Sequence, residues 1–203
     1  MADMFYRTAA LDAIALNTIK GYNPEFLVGT PRAIPIEEIA EHYCHLDIEY
    51  CYLRKNGIAL GCTVFNDTFL PIYNMEVKRY ELVYVKGGTI VIDANLLNDK
   101  TDVRLRFTFA HEVAHWLIHK EMFSGKGIAA ASAAKTSFEE NSTTERQADI
   151  LAADLLLPAG QVKKAFYHIT NANKNKNLVA SLADLFKVSE QAMSIFLKNH
   201  YLN

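Results

Sequence analysis

The chain has 203 residues, half of them hydrophobic and 22% charged, and its 21 basic and 23 acidic side chains nearly cancel. That length suits one domain, or one with a small appendage, around a substantial core, and the charge balance excludes a global pull towards nucleic acid. No uncharged apolar run approaches roughly 18 residues and no basic stretch leads into an apolar segment at the N-terminus, so the composition predicts a cytoplasmic protein rather than a secreted or membrane-spanning one.

From the N-terminus, residues 5 to 20 carry apolar side chains at Leu11, Ile14, Ala15 and Ile19. This is the pattern of a weakly amphipathic helix, ending near Gly21 and the Asn23-Pro24 pair. Residues 1–31 read as a helical extension that packs on the rest. A second helix is expected from Ile34 to Ala40, with Pro35, Glu37 and Glu38 in its first turn, where a missing N–H and negative charge suit the helix dipole. Ile36, Ile39, Ala40 and Tyr43 would form its inner face.

Between Ile48 and Asp93 the period becomes extended. Ile48 to Leu53, Ile58 to Phe65, Tyr80 to Val85 and Thr89 to Asp93 are rich in β-branched and aromatic residues. Asn56-Gly57 and Gly87-Gly88 read as hairpin turns. The tyrosines at 50, 52, 73, 80 and 84 could form an aromatic binding surface, but alternating aromatics in strands usually pack, and packing is the expectation here. Cys44, Cys51 and Cys62 contain no C-x-x-C pair and suggest neither a disulfide framework nor a thiolate zinc site. A meander of about four strands followed by a long helix gives an α+β class, a small twisted sheet packed against that helix.

The long helix holds the chemistry. From Phe107 to His119 the sequence is FTFAHEVAHWLIH. At about 100° per residue His111, Glu112, His115 and His119 fall within one arc, and the other positions are mostly apolar. His111 and His115 stand one turn apart, close enough to share an ion, and Glu112 flanks them. This is the H-E-x-x-H arrangement in which two imidazoles hold Zn²⁺ and the glutamate takes a proton from water at the metal. The bland alternative, histidines satisfied within a core, would need partners for three imidazoles and a carboxylate along one buried stripe.

Ser124 to Ser137 is rich in Gly, Ala, Ser and Lys and separates this helix from the next. Ser142 and Glu145 then give an S-x-x-E helix start, and the helix runs until Pro158. Glu145, Ala148, Asp149, Ala152 and Leu156 share a face, two carboxylates one turn apart beside alanines small enough to admit another helix. Catalytic zinc takes three protein ligands and leaves one position open, so Glu145 is the expected third ligand, with Asp149 placed to accept the free ring N–H of a liganding histidine. Glu145 could instead only complete a capping box, with Asp149 solvated and His119 in the third place. A single straight helix, however, spreads its i, i+4 and i+8 positions over about 12 Å, too far for three bonds to one ion.

The segments from Arg104 to His119 and from Glu145 to Pro158, ERQADILAADLLLP, resemble the two signature blocks of the ImmA/IrrE family of metallopeptidases, down to the closing Leu156, Leu157 and Pro158. With the helix at Ile34 to Ala40 and the strand at Thr89 to Asp93, the resemblance covers most of residues 34 to 158. The leader before Thr30 and the tyrosine-rich stretch from Asn66 to Lys86 exceed it. The resemblance implies a zincin-like core similar to thermolysin at the metal, zinc on His111, His115 and Glu145, Glu112 as the base, and a substrate of the helix-turn-helix repressor kind found in phage, mobile-element and stress regulation.

Residues 32–158 are thus expected to form the metallopeptidase core and 159–203 a C-terminal helical segment. In the latter, Leu178 to Phe186 and Glu190 to Leu197, with Ser189 as N-cap, make a pair resembling half of a helix-turn-helix. The second helix of the pair offers one lysine and no arginine to a phosphate backbone, so partner docking is expected rather than DNA binding. The motif predicts a zinc endopeptidase, the resemblance implies a specific repressor as its substrate, and no contact with DNA or membrane is expected. Arg104, His119, Tyr167 and His168 are candidates for oxyanion or substrate contacts. The rival reading is a DNA-binding or protein-binding regulator with a non-catalytic zinc site.

Overall fold

A computed structural model describes residues 6–53, 60–98, 102–123, 143–172 and 177–202. The expected turn at Asn56-Gly57, the cap at Ser142 and the stretch from Ser124 to Ser137 lie outside the described residues.

The first helix, α1 (Thr8–Tyr22), buries Leu11, Ala15, Thr18 and Ile19 along one stripe. That stripe lies against α5 (Thr143–Leu156), so the extension braces a helix of the candidate site. A short α2 (Glu25–Val28) follows Pro24, with the Asn23 side chain accepting from the Glu25 amide at 3.0 Å. The next helix, α3 (Ile36–Glu38), passes directly into a π-helical turn over Ile39–Tyr43, closed by the Cys44 amide donating to the Ile39 carbonyl at 2.9 Å. Ile36, Ile39 and Ala40 are buried as expected, but Tyr43 is 39% exposed. The wider π turn rotates residue 43 off the face of residue 36, and the phenol ring covers Gly21 of α1, where a Cβ would lie 2.5 Å from it.

The strands do not form the expected meander. β1 (Asp47–Cys51), β2 (Gly61–Val64) and β5 (Thr89–Asp93) make one sheet in the order β1-β5-β2, with β5 parallel to β1 and antiparallel to β2. β3 (Thr68–Asn74) and β4 (Arg79–Val85) form a separate antiparallel hairpin. β5, the strand with the run Ile90-Val91-Ile92, takes the centre, and all five of its residues are buried. Gly87-Gly88 is consequently not a hairpin turn. It returns the chain from the hairpin to the sheet, with Gly88 at φ +88° and Gly87 so close to Asn66 that a Cβ would sit 2.8 Å from the Asn66 Cα.

Alternation divides the sheet's two faces. Ile90 and Ile92 of β5 join the main core, while Val91, Cys62 and Val64 face Leu70 and Val85 of the hairpin in a smaller cluster. The hairpin's aromatics pair across its strands, Tyr73 opposite Tyr80 and Phe69 opposite Tyr84, both edge-on. Of the five tyrosines expected to pack, only Tyr73 is buried; Tyr80 and Tyr84 are 50% and 54% exposed because a two-stranded ribbon has no second layer over its outer face, and Tyr50, on the edge strand β1, is 41% exposed.

After β5 a 3-10 turn (Ala94–Asn98) precedes α4 (Val103–Phe123), the motif helix, which packs against α5, β2 and β5. Three helices complete the chain. α6 (Ala159–Ala172) follows Pro158; α7 (Leu178–Phe186) is capped by Asn177; α8 (Glu190–Asn199) is capped by Ser189, whose hydroxyl oxygen accepts from the Ala192 amide at 3.1 Å. One hydrophobic cluster runs from Leu11 of α1 through α4 and α5 to Leu202. Arg106 of α4 adds a polar tie across it, donating to the carbonyls of Ile34 at 2.7 Å and Lys187 at 3.2 Å.

Candidate metal centre

Two helices with the same internal spacing build the site. α4 presents His111 and His115 one turn apart, and α5 presents Glu145 and Asp149 one turn apart. Ala148 and Ala152 of α5 are fully buried, and their small side chains let the two backbones approach closely enough for the ligand faces to meet.

The resulting geometry is tight. The Nε2 atoms of His111 and His115 are 3.0 Å apart, and each lies 3.3 Å from one carboxylate oxygen of Glu145. Tetrahedral bonds of about 2.0–2.1 Å to one zinc ion separate ligand atoms by about 3.3 Å, so these donors stand where a tetrahedral ion would need them. Among the described residues this is the one group of three or more potential ligand residues gathered within 4.8 Å. Two imidazole nitrogens and a carboxylate turned to one point repel each other unless a cation or shared protons lie between them.

Each histidine is oriented from behind. Asp149 lies 2.9 Å from Nδ1 of His111, so the ring donates there and keeps Nε2 for the ligand position. Nδ1 of His115 lies 2.9 Å from Nδ1 of His119. For His115 to offer Nε2 as a ligand, its Nδ1–H donates to His119, whose own proton then sits on Nε2. His119 is fully buried, with Gln147 of α5 as its polar neighbour.

Electrostatics follow from this packing. Burial disfavours the charged form of His111, but Asp149, Glu145 and then Glu112 outweigh it and raise the pKa from 6.5 to about 10. Burial likewise pushes Glu145 up, and the hydrogen bonds from His111 and His115 more than offset it, holding the carboxyl well below the usual carboxylate range. His119 is pushed down to about 4, chiefly by burial and then by the neighbouring His115.

Glu112 is buried beside the ligand group and is not part of it. Its Oε2 accepts from the Thr63 hydroxyl at 2.7 Å, and the same hydroxyl lies 2.9 Å from the Glu112 carbonyl. Gly61, two residues earlier on β2, faces the same carboxylate. Neither residue stood out in the sequence. The alternation of β2 put both on one face, but nothing local showed that this face meets a helix 49 residues away.

The remaining candidates are less central. His119 is sealed behind His115, which removes it from substrate contact. Arg104 is exposed at the start of α4, two turns before His111, and its carbonyl accepts from Thr108 at 2.9 Å. Tyr167 and His168 are exposed on α6; no described hydrogen bond, ion pair or ring contact joins either to the histidines, and the Tyr167 ring packs edge-on against Phe166. Phe107, one turn before His111, is a half-exposed apolar wall beside that imidazole, its ring centroid 6.4 Å away.

Residues 65–198 match the model of the Peptidase M78 family, the IrrE N-terminal-like domain. No curated protein matches the chain. The matched stretch contains all of α4 and α5, starts later than the resemblance read from the sequence and continues through α7 into α8, so the C-terminal helices and the tyrosine-rich hairpin lie inside it. Gly61 and Thr63 lie just before it.

Proposed function

This chain belongs to the Peptidase M78, or ImmA/IrrE, family of metallopeptidases, and on that premise we propose that it is a zinc-dependent endopeptidase with a zincin-like centre. The observation that carries the reading is the convergence of His111, His115 and Glu145 at tetrahedral spacing with a buried carboxylate, Glu112, beside but outside the set. His111, His115 and Glu145 would hold the ion. Zinc bound there would polarise a scissile carbonyl and lower the pKa of water.

The chain's own residues do the rest. Glu112 accepts a proton from the attacking water on its carboxylate and returns it to the leaving amide nitrogen. Asp149 and His119 keep the two imidazoles in the tautomer that offers Nε2. An edge strand of the three-stranded sheet would hold the substrate extended. The substrate proposed is a helix-turn-helix repressor, in the cytoplasm. No described helix is long and apolar enough to cross a membrane. α8 carries one lysine, Lys198, and no arginine, which favours a docking role over DNA binding.

The test is metal content together with one substitution. Purified protein should bind close to one zinc per chain, and Glu112→Gln should keep that zinc while cleavage of a candidate repressor falls at least about a hundredfold. Cleavage by Glu112→Gln at the wild-type rate would end the mechanism. Sequence-specific DNA binding by this variant and by His111→Ala, with no proteolysis of any neighbouring repressor, would favour the regulator instead.

A further inference from the structure

Gly61 and Thr63 are two apart on β2, pair with Ile92 and Ile90, and turn to the face of the sheet that α4 covers. Thr63 is 1% exposed, and its single hydroxyl proton has Glu112 acceptors on two sides, Oε2 at 2.7 Å and the main-chain carbonyl at 2.9 Å. At Gly61 a Cβ would lie 2.8 Å from the other carboxylate oxygen, Oε1, 2.9 Å from Cγ of Glu112, and 2.8 Å from Cγ2 of Thr108, one turn before Glu112 on α4. One oxygen of the carboxylate is therefore gripped by a hydroxyl, and the other fits only because residue 61 has no side chain.

From this clamp we infer that Thr63 and Gly61 are positioning residues for Glu112, fixing the rotamer from which it exchanges protons with substrate water. The inference rests on the reading of Glu112 as the base. A glutamate has three side-chain torsions, and a buried carboxylate held by a charge-assisted hydrogen bond samples few of them. Neither β2 residue touches His111, His115 or Glu145 in any described contact, so the clamp acts on the base and leaves the ligand set alone. It also lies ahead of the family-matched residues 65–198, as a strand supplied from outside that stretch.

The experiment uses the full-length, zinc-loaded protein and acetohydroxamate, a small bidentate zinc ligand whose hydroxyl proton passes to a neighbouring carboxylate. Its affinity reports on the aim of Glu112 without needing the natural substrate. Thr63→Val, which keeps the shape and loses the hydroxyl, should weaken acetohydroxamate binding about tenfold at unchanged zinc affinity, the effect of one lost hydrogen bond to a charged group. Thr63→Ser should restore binding to within about twofold. Gly61→Ala attacks the clamp from the other side and should weaken binding at least as much, which keeps the test decisive if Thr63→Val fails to fold. Wild-type affinity in Thr63→Val or in Gly61→Ala overturns the inference, and so does a loss in Thr63→Ser equal to that in Thr63→Val. If Glu112→Gln itself binds acetohydroxamate as wild type does, the reading of the base fails. If Glu112→Gln is weakened while the β2 variants are not, only the clamp fails.

Discussion

Zinc uptake should be strongly pH-dependent, because in the metal-free site a proton competes for the atom that the metal needs. His111 donates from Nδ1 to Asp149, so its second proton resides on Nε2, between His115 and Glu145. With the pKa raised from 6.5 to about 10, neutral imidazole at pH 7 is roughly a thousandth of the total. Zinc binds the neutral ring, so the sign is fixed: apparent affinity climbs as pH rises towards the raised pKa, by about tenfold per unit, with about one proton released per ion. An imidazole of ordinary pKa would give a flat profile above pH 7. Asp149→Asn separates charge from orientation, since the amide oxygen still accepts the ring N–H. It should flatten the upper part of the profile, modestly, because the Asp149 side chain is 58% exposed and its charge is screened. Asp149→Ala loses both contributions and should cost roughly tenfold to a hundredfold in affinity at the top of the range. Competition against a chromophoric chelator from pH 6 to 9, with calorimetry in buffers of different ionisation enthalpy, measures slope and proton release. A wild-type profile that is flat between pH 7 and 9 would refute the reasoning.

His119→Ala should weaken zinc binding by roughly tenfold to a hundredfold by removing the acceptor behind His115, with His119→Asn retaining part of the affinity; an unchanged constant would leave His119 a packing residue. Asp154 of α5 is raised from 3.8 to about 7, first by burial and then by Asp12 of α1, and its Oδ2 has no described partner. A folded pKa above the unfolded one for an acid means that stability is complete below about 3.8 and declines as pH rises to about 7. Asp154→Asn should therefore raise the melting temperature at pH 8, by a few degrees for about 1 kcal/mol, with the gain vanishing near pH 4; equal gains at both pH values would exclude this linkage. Ser189→Ala, which removes the cap of α8, should destabilise by about 1 kcal/mol in denaturant titrations, and no change would show that the cap hydrogen bond contributes nothing.

What the sequence revealed of this protein divides along local and non-local lines. His111 with His115 and Glu145 with Asp149 are each one turn apart within a helix, so a periodicity argument found both pairs, and the buried alanines of α5 hinted that the faces meet. The sheet order was hidden because the β1–β5 pairing joins residues about 40 positions apart, and no local pattern distinguishes a parallel crossover from a meander. β3 is absent from the expected strands; it carries Pro71, a residue that removes a ladder donor and that a two-stranded hairpin tolerates. The π turn that exposes Tyr43 left no mark on the apolar spacing at all.

The same division separates the two halves of the proposed chemistry. Metal affinity depends on contacts within and between α4 and α5, whose spacing is written in two short segments and falls inside the family-matched stretch. The aim of the base depends on β2, which reaches Glu112 only after the sheet has paired and α4 has docked on it. Substitutions that loosen the docking of the sheet should therefore lower the rate of any reaction that uses Glu112 before they release zinc, whereas substitutions between α4 and α5 should release zinc first. Gly87→Ala is the instructive case. It lies outside the site and forces Asn66, whose side chain donates to the Phe123 carbonyl at the end of α4, out of a 2.8 Å approach. The sheet and the end of α4 would shift together, leaving the histidines and Glu145 where they are. Zinc affinity within about twofold of wild type, together with acetohydroxamate binding weakened several-fold, is the expected pair of results. Loss of zinc before loss of acetohydroxamate binding would mean that the sheet and the ligand helices do not act as separate supports.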